Sequence, residues 1–153
     1  MQIKIISVGK IKQRFVVDGE AEFLPRLRGD TKVELIEVEA ATDLPEAQAK
    51  AREAAAVLER VKVSDYFVVL DERGKSLTSP EFARFFETEM GRGKSSFVFA
   101  IGGFHGWDPL ILKQAHRTLS LSSLTFTYQM TRLILVEQIY RAMTIRKGVP
   151  YHR

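Results

Sequence analysis

Two short, unbroken apolar runs, YFVVL at 66–70 and FVFAI at 97–101, constrain this chain more than any other feature. A strand that is apolar on both of its faces must be covered on both, which is the situation of parallel strands joined by helices. The rest of the sequence alternates to match. Residues 2–8 are rich in β-branched side chains and stop at Gly9, and KVELIEV at 32–38 alternates except at Ile36, so both read as strands. LSLSSL at 119–124 supplies a fifth. Helical patterns lie between them at 10–28, 46–61, 79–90, 108–117 and 131–145. The first is weakened by Gly19 and Pro25. Ser79 as N-cap with Pro80 and Glu81 starts the third, and Asp108-Pro109 starts the fourth. Ala47 and Met90 are expected on inner helix faces, and 40–45 and 71–77 read as connections. The fold class is α/β: a mostly parallel sheet flanked by helices on both faces, in a single domain spanning 1–153.

Composition narrows the function classes. No apolar run approaches the roughly 20 residues of a membrane span, and the N-terminus reads as a strand rather than a secretory signal. With no cysteine there is no disulfide framework and no thiol chemistry, so a cytoplasmic protein is expected. The net charge of +4 suits a polyanionic partner and equally suits a soluble protein with a surplus of basic side chains. His105, His116 and His152 do not pair at metal-ligand spacing, so no metal is expected, and His116 is expected at the surface. A nucleophilic serine elbow is missing.

Ligands of open α/β sheets bind at the carboxyl ends of the strands. Three such ends stand out: Leu70-Asp71, the IGGFHG stretch at 101–106, and 121–129. The glycines of the second either admit a ligand to the backbone or serve a turn that needs positive φ. Neither the dinucleotide nor the P-loop spacing is present, although a phosphate cradle at Gly102-Gly103 in a small-molecule enzyme stays open. The last helix is apolar on more than one side, through Leu133, Ile134, Leu135, Val136, Ile139, Tyr140 and Met143. Such a helix is either central or shared with a second subunit. Cations gather at both ends of the chain: Lys10, Lys12 and Arg14, then Arg132, Arg141, Arg146, Lys147 and Arg153. They are phosphate contacts or a solvated face, and Glu137 with Arg141 has the spacing of a helix ion pair. The tail Tyr151-His152-Arg153 joins a stacking ring, an imidazole and a cation, a mixture that favours function.

Taken together, IKIISVGKIK, VVLDERGK, IGGFHG and LSLSSLTF, followed by RLILVEQIYRAMTIRKGVPYHR, resemble the bacterial large-subunit ribosomal RNA pseudouridine methyltransferases of the SPOUT class, over the whole chain. The resemblance implies a C-terminal trefoil knot and a homodimer. It also implies S-adenosylmethionine as methyl donor and N3 of a pseudouridine, on the assembled ribosome, as acceptor. The donor site would fall on Leu70, Gly102, Gly103, Leu121, Ser122, Ser123, Leu124, Thr125 and Phe126. Tyr151, His152 and Arg153 would cross to the partner's donor and place the target base, with His152 in the proton or orienting role. Arg132 and Arg141 would lend that cleft positive charge for RNA. The sequence departs from the family pattern at Thr127-Tyr128, where Pro-His is usual, and at Phe104, where proline or serine is usual. A ribosome- or RNA-binding protein that keeps the fold without turnover is the alternative raised by the first departure.

Overall fold

The computed structural model describes residues 1–153. Its elements alternate as β1 (Gln2–Val8), α1 (Arg14–Leu27), β2 (Lys32–Val38), α2 (Glu46–Leu58), β3 (Tyr66–Ser76), α3 (Ser79–Gly91), β4 (Ser96–Ile101), α4 (Pro109–Gln114), β5 (Arg117–Ser120) and α5 (Tyr128–Lys147). The five strands form one sheet in the order β2-β1-β4-β3-β5, and every pairing is parallel. The expected "mostly parallel" sheet is thus wholly parallel.

Period-two alternation along the central strands sorts their side chains into two cores. Ile3, Ile5, Val68, Phe97 and Phe99 point toward α1, α3 and α5, while Ile6, Val8, Phe67, Val69 and Val98 point toward α2 and α4. The first core is dominated by Phe82, Phe85 and Phe86 of α3 against Phe97 and Phe99, with ring centroids 5.2–6.2 Å apart across the helix–sheet boundary. Each such ring contributes about 1.5–3 kcal/mol on full burial. Ile36 breaks the alternation because β2 serves both layers: Val33 and Leu35 pack on one core, Ile36 and Val38 on the other.

The width of α5's apolar surface has an explanation inside the subunit. The helix lies between α1 and α3, with Leu135, Val136, Ile139, Ala142 and Met143 buried. Gly19 of α1 provides the notch for Leu133; a Cβ at Gly19 would come within 2.7 Å of Leu133 Cδ1. Of the two readings of that surface, the helix is central, and its width carries no evidence about a partner.

Several local expectations are corrected. β3 runs six residues past Leu70, where the apolar run ends: Leu70 and Lys75 both pair with Leu119, so residues 71–74 bulge outward before the strand returns. β5 ends at Ser120, and 121–124 belong to the following loop. Thr78, not Ser79, caps α3, in a capping box with Glu81. Pro25 sits in the last turn of α1 without breaking it. On α2 and α3 the inward positions are Ala49, Glu53 and Glu89, whereas Ala47 and Met90 are exposed. Glu89 is turned in because Arg92 supplies an ion pair at 3.0 Å. No helix is long and apolar enough to cross a membrane.

Two outcomes test this frame. A Cβ at Gly74 would lie 2.8 Å from the backbone of Thr118 and Leu119. Backbone cannot yield as a side-chain tip can, so Gly74→Ala is expected to cost about 1–3 kcal/mol in urea denaturation. Asp65 is buried and accepts from Ser96 Oγ at 2.6 Å and Lys62 N–H at 2.8 Å, with Lys4 Nζ at 3.7 Å. Burial alone would raise its carboxyl; the two hydrogen bonds and the Lys4 charge outweigh that and hold it below the usual range. Its stabilising effect is present above the unfolded value of about 3.9 and is lost as pH falls through the folded one. The urea midpoint of the wild type should therefore fall more below about pH 4 than that of Asp65→Asn.

Candidate functional site

The carboxyl ends of β3, β4 and β5 open into one cleft of about 1040 Å³. Eight of the nine residues expected at a donor site line it: Leu70, Gly102, Gly103, Leu121, Ser122, Leu124, Thr125 and Phe126, with Ser123 outside. The three strand ends singled out by sequence therefore meet. Its floor is tied by Trp107, buried, whose Nε1 donates to Leu70 O at 2.9 Å and joins the β4 turn to the end of β3.

Gly102 and Gly103 owe their identity to packing rather than to backbone sign. Neither has positive φ; the turn's only such residue is Gly106, at +77°. A Cβ at Gly102 would meet the Trp107 ring at 3.1 Å, and one at Gly103 would meet Val8 Cγ1 at 3.0 Å. The turn is thereby pulled against the sheet, and the cleft reaches down to its backbone.

One wall is the segment 121–127. The backbone groups of residues 122–126 make no backbone–backbone hydrogen bonds. Leu124 N–H donates to Ser122 Oγ at 3.0 Å, and Ser122 O accepts from Ser120 Oγ at 2.9 Å. Thr125 Oγ1 donates to Glu72 Oε2 at 2.5 Å and ties this loop to the β3 bulge. Beside it, Arg73 hydrogen-bonds the Asp71 carboxylate, which holds that acid below its usual range despite partial burial.

The opposite wall is the start of α5, and here the departures from Pro-His have physical consequences. Thr127 is the N-cap, its hydroxyl accepting from Met130 N–H at 3.3 Å. Tyr128 OH donates to Lys10 O at 2.6 Å, while Gln129 Oε1 accepts from Lys12 N–H and Gln13 N–H, each at 2.8 Å. Arg132 then reaches inward, donating to both oxygens of Glu20 at 2.5 and 2.8 Å and to Glu37 at 3.4 Å. Glu37 in turn accepts from Ile11 N–H. The β1–α1 loop is thus bound to α5 by four side chains.

Arg132 is only 4% exposed, so the expectation that it lends charge to RNA is corrected: its guanidinium is consumed by Glu20 and Glu37. Arg141 lies thirteen residues beyond Tyr128 on the same helix, about 20 Å from the cleft wall. It pairs with Glu137, which raises its already high proton affinity, and stacks over the Tyr151 ring with 4.8 Å to the centroid. Tyr151 OH donates to Glu137 at 3.0 Å, and its ring meets Tyr140 edge-on at 4.8 Å. Burial, then the hydrogen bond to Glu137, push the Tyr151 phenol up, so it is protonated at neutral pH. Arg141 Nη1 lies 3.3 Å from His152 Nδ1. Because a guanidinium only donates, Nδ1 accepts there and the proton of the neutral ring is on Nε2. Arg153 is exposed beyond them. Within one subunit, then, the cleft is at the start of α5 and the tail packs nine to thirteen residues along it, on Glu137, Tyr140 and Arg141.

His105 is exposed on the β4 turn, and His116, also exposed, lies between α4 and β5, where Nδ1 accepts from Phe67 N–H at 2.9 Å. No group of three His, Cys, Asp or Glu side chains converges as metal ligands would.

A family model described as "Predicted SPOUT methyltransferase" matches residues 1–152. The chain belongs to the SPOUT methyltransferase family. Among curated relatives, a protein named ribosomal RNA large subunit methyltransferase H from Acetivibrio thermocellus is 46% identical over the whole of both chains. Proteins of the same name from Symbiobacterium thermophilum and Enterococcus faecalis are 40% and 38% identical, again over the full length of each. The family match agrees with the resemblance read from the C-terminal motifs.

Sequence reasoning missed Trp107, Tyr128 and Gln129 as builders of this SPOUT cleft. The lone tryptophan beside a glycine-rich turn was a usable signal for the first. The ties from α5 to the β1–α1 loop span more than 110 residues and leave no local trace. Arg132→Ala should destabilise the fold by about 3–5 kcal/mol in urea titration, since it strands Glu20 without its cation. An Arg141→Ala variant, removing a partly buried helix pair, should cost less, about 1 kcal/mol.

Proposed function

We propose that this protein methylates large-subunit ribosomal RNA, with S-adenosylmethionine as donor and N3 of a pseudouridine on the assembled ribosome as acceptor. The observation that carries the reading is the convergence of three loops, at the carboxyl ends of adjacent parallel strands, into one cleft in a chain of this family. The relatives' names point to the RNA. The C-terminal trefoil knot and the homodimer implied by the resemblance belong to the same reading.

The cleft suits the donor by its chemistry. Leu70, Ile101, Leu119 and Leu121 offer apolar surface for an adenine ring, and the backbone groups of 122–126 other than Ser122 O and Leu124 N–H offer donors and acceptors for its edge and ribose. Asp71 and Glu72 place carboxylates in a site that would receive a cationic sulfonium. Bound there, the donor would supply an electrophilic methyl group. The residues around it hold and orient, which is where most of the acceleration of such a transfer can come from.

The acceptor N3–H must lose its proton. Tyr151 is a poor base, since its phenol is held protonated and already donates to Glu137. His152 in its neutral form presents Nε2–H, suited to hydrogen-bonding a carbonyl oxygen of the base, and can take a proton at Nδ1 only on leaving Arg141. A base in that position is worth about 10²–10⁴-fold. Because the tail is remote from its own subunit's cleft, Tyr151, His152 and Arg153 act at the cleft of a second copy. The non-catalytic alternative rested on Thr127-Tyr128; these residues cap α5 and secure the Lys10 loop without filling the cleft.

Purified protein, radiolabelled S-adenosylmethionine and ribosomes from cells lacking the gene should yield label in one pseudouridine, located by mass spectrometry. Absence of donor binding by calorimetry, with ribosome affinity retained, would instead favour the non-catalytic protein. His152→Ala should reduce transfer on the order of a hundredfold or more while leaving donor affinity within about twofold. Equal losses of both would move His152 into the donor's binding shell.

A further inference from the structure

The rim of the donor cleft, which Phe104 and His105 help to line, carries a surface of its own at the carboxyl ends of β1 and β4. β1 and β4 are neighbours, so the loop after β1 and the turn after β4 lie side by side, in contact at Val8 and Gly103. The turn closes on itself: Gly106 N–H donates to Gly103 O at 3.1 Å, and the two residues form a bridge. At its tip Phe104 is 96% exposed, its ring 5.1 Å from the His105 imidazole in an edge-to-face pose. Beside it the β1–α1 loop presents Lys10 and Lys12, both exposed and neither in an ion pair, on a backbone pinned by Tyr128 and Gln129.

An exposed ring on a closed turn, next to free ammonium groups on a held backbone, is the pattern of single-stranded nucleic-acid binding: bases stack on the ring while cations follow the phosphates. We infer that Phe104 stacks an unpaired base of the acceptor RNA and that Lys10 and Lys12 take phosphates of the same strand, an inference that rests on the RNA-methyltransferase reading. A second copy of the chain is the poorer occupant. Interface cores are depleted of charge, whereas here unpaired lysines flank the ring, and two copies meeting at this edge would bring like charges together.

The test measures affinity of the full-length protein for large ribosomal subunits by fluorescence anisotropy across a salt series. Phe104→Ala should weaken binding about five- to a hundredfold with an unchanged salt slope, and Phe104→Trp should restore it. Lys10→Gln with Lys12→Gln should lower the slope of log affinity against log salt by roughly 1.5 to 2. The sedimentation coefficient should stay at the wild-type value in all variants, and calorimetric affinity for S-adenosylmethionine should stay there in the lysine variant, whose side chains do not line the cleft. Unchanged affinity in Phe104→Ala, or a change in its oligomeric state, would overturn the inference; the latter would assign the ring to a contact between copies. Active methyl transfer with no effect of Phe104→Ala on affinity would sink this surface alone. Ribosome binding that depends on these residues in a protein without transfer would keep the surface and remove the enzyme reading.

Discussion

Arg132, buried and shared between Glu20 and Glu37, ties together three elements that have no sequence proximity: α5, α1 and the edge strand β2. Taking Arg132 and Glu20 out of water is costly, and a buried ion pair is repaid only when its hydrogen bonds are well met; Glu37 joins from the exposed side. Here Glu20 accepts twice, and Glu37 also receives Ile11 N–H. The benefit is positional. With Arg132 held, the first turn of α5 has one place to be, and Tyr128 and Gln129 can bind the β1–α1 loop from it. The cleft wall follows from that placement.

Much of the frame was legible because it is local. YFVVL and FVFAI announce a sheet covered twice, and cap-plus-proline signals announce α3 and α4 to within a residue or so. What escaped was decided by neighbours distant in the chain. The bulge of β3 at 71–74 exists because the strand rejoins β5, and DERG by itself reads as a turn. Glu89 inward and Met90 outward invert a pattern based on hydropathy, since Arg92 partners the acid. The same holds for Arg132: a cation near the chain's end suggested a polyanion, and only the fold reveals two carboxylates waiting for it.

The candidate donor site was more legible than the acceptor side. Strand ends of a parallel sheet share one edge by construction, so three unusual ends had to come close together, and they did. The tail offered no such guarantee. Its residues are held by Tyr140, Glu137 and Arg141, on the far part of the helix that begins at the cleft.

That arrangement makes α5 a ruler. Nine to thirteen residues of it, about 14–20 Å, separate Tyr128 at the cleft wall from Glu137, Tyr140 and Arg141 that hold the tail, and its hydrogen-bonded ladder keeps their relative rotation constant. Adding or deleting a single residue between Arg132 and Glu137 would swing the perch by roughly 100° while leaving every side chain intact. The length of this helix thereby converts a residue count into the angle between the cleft wall and the tail.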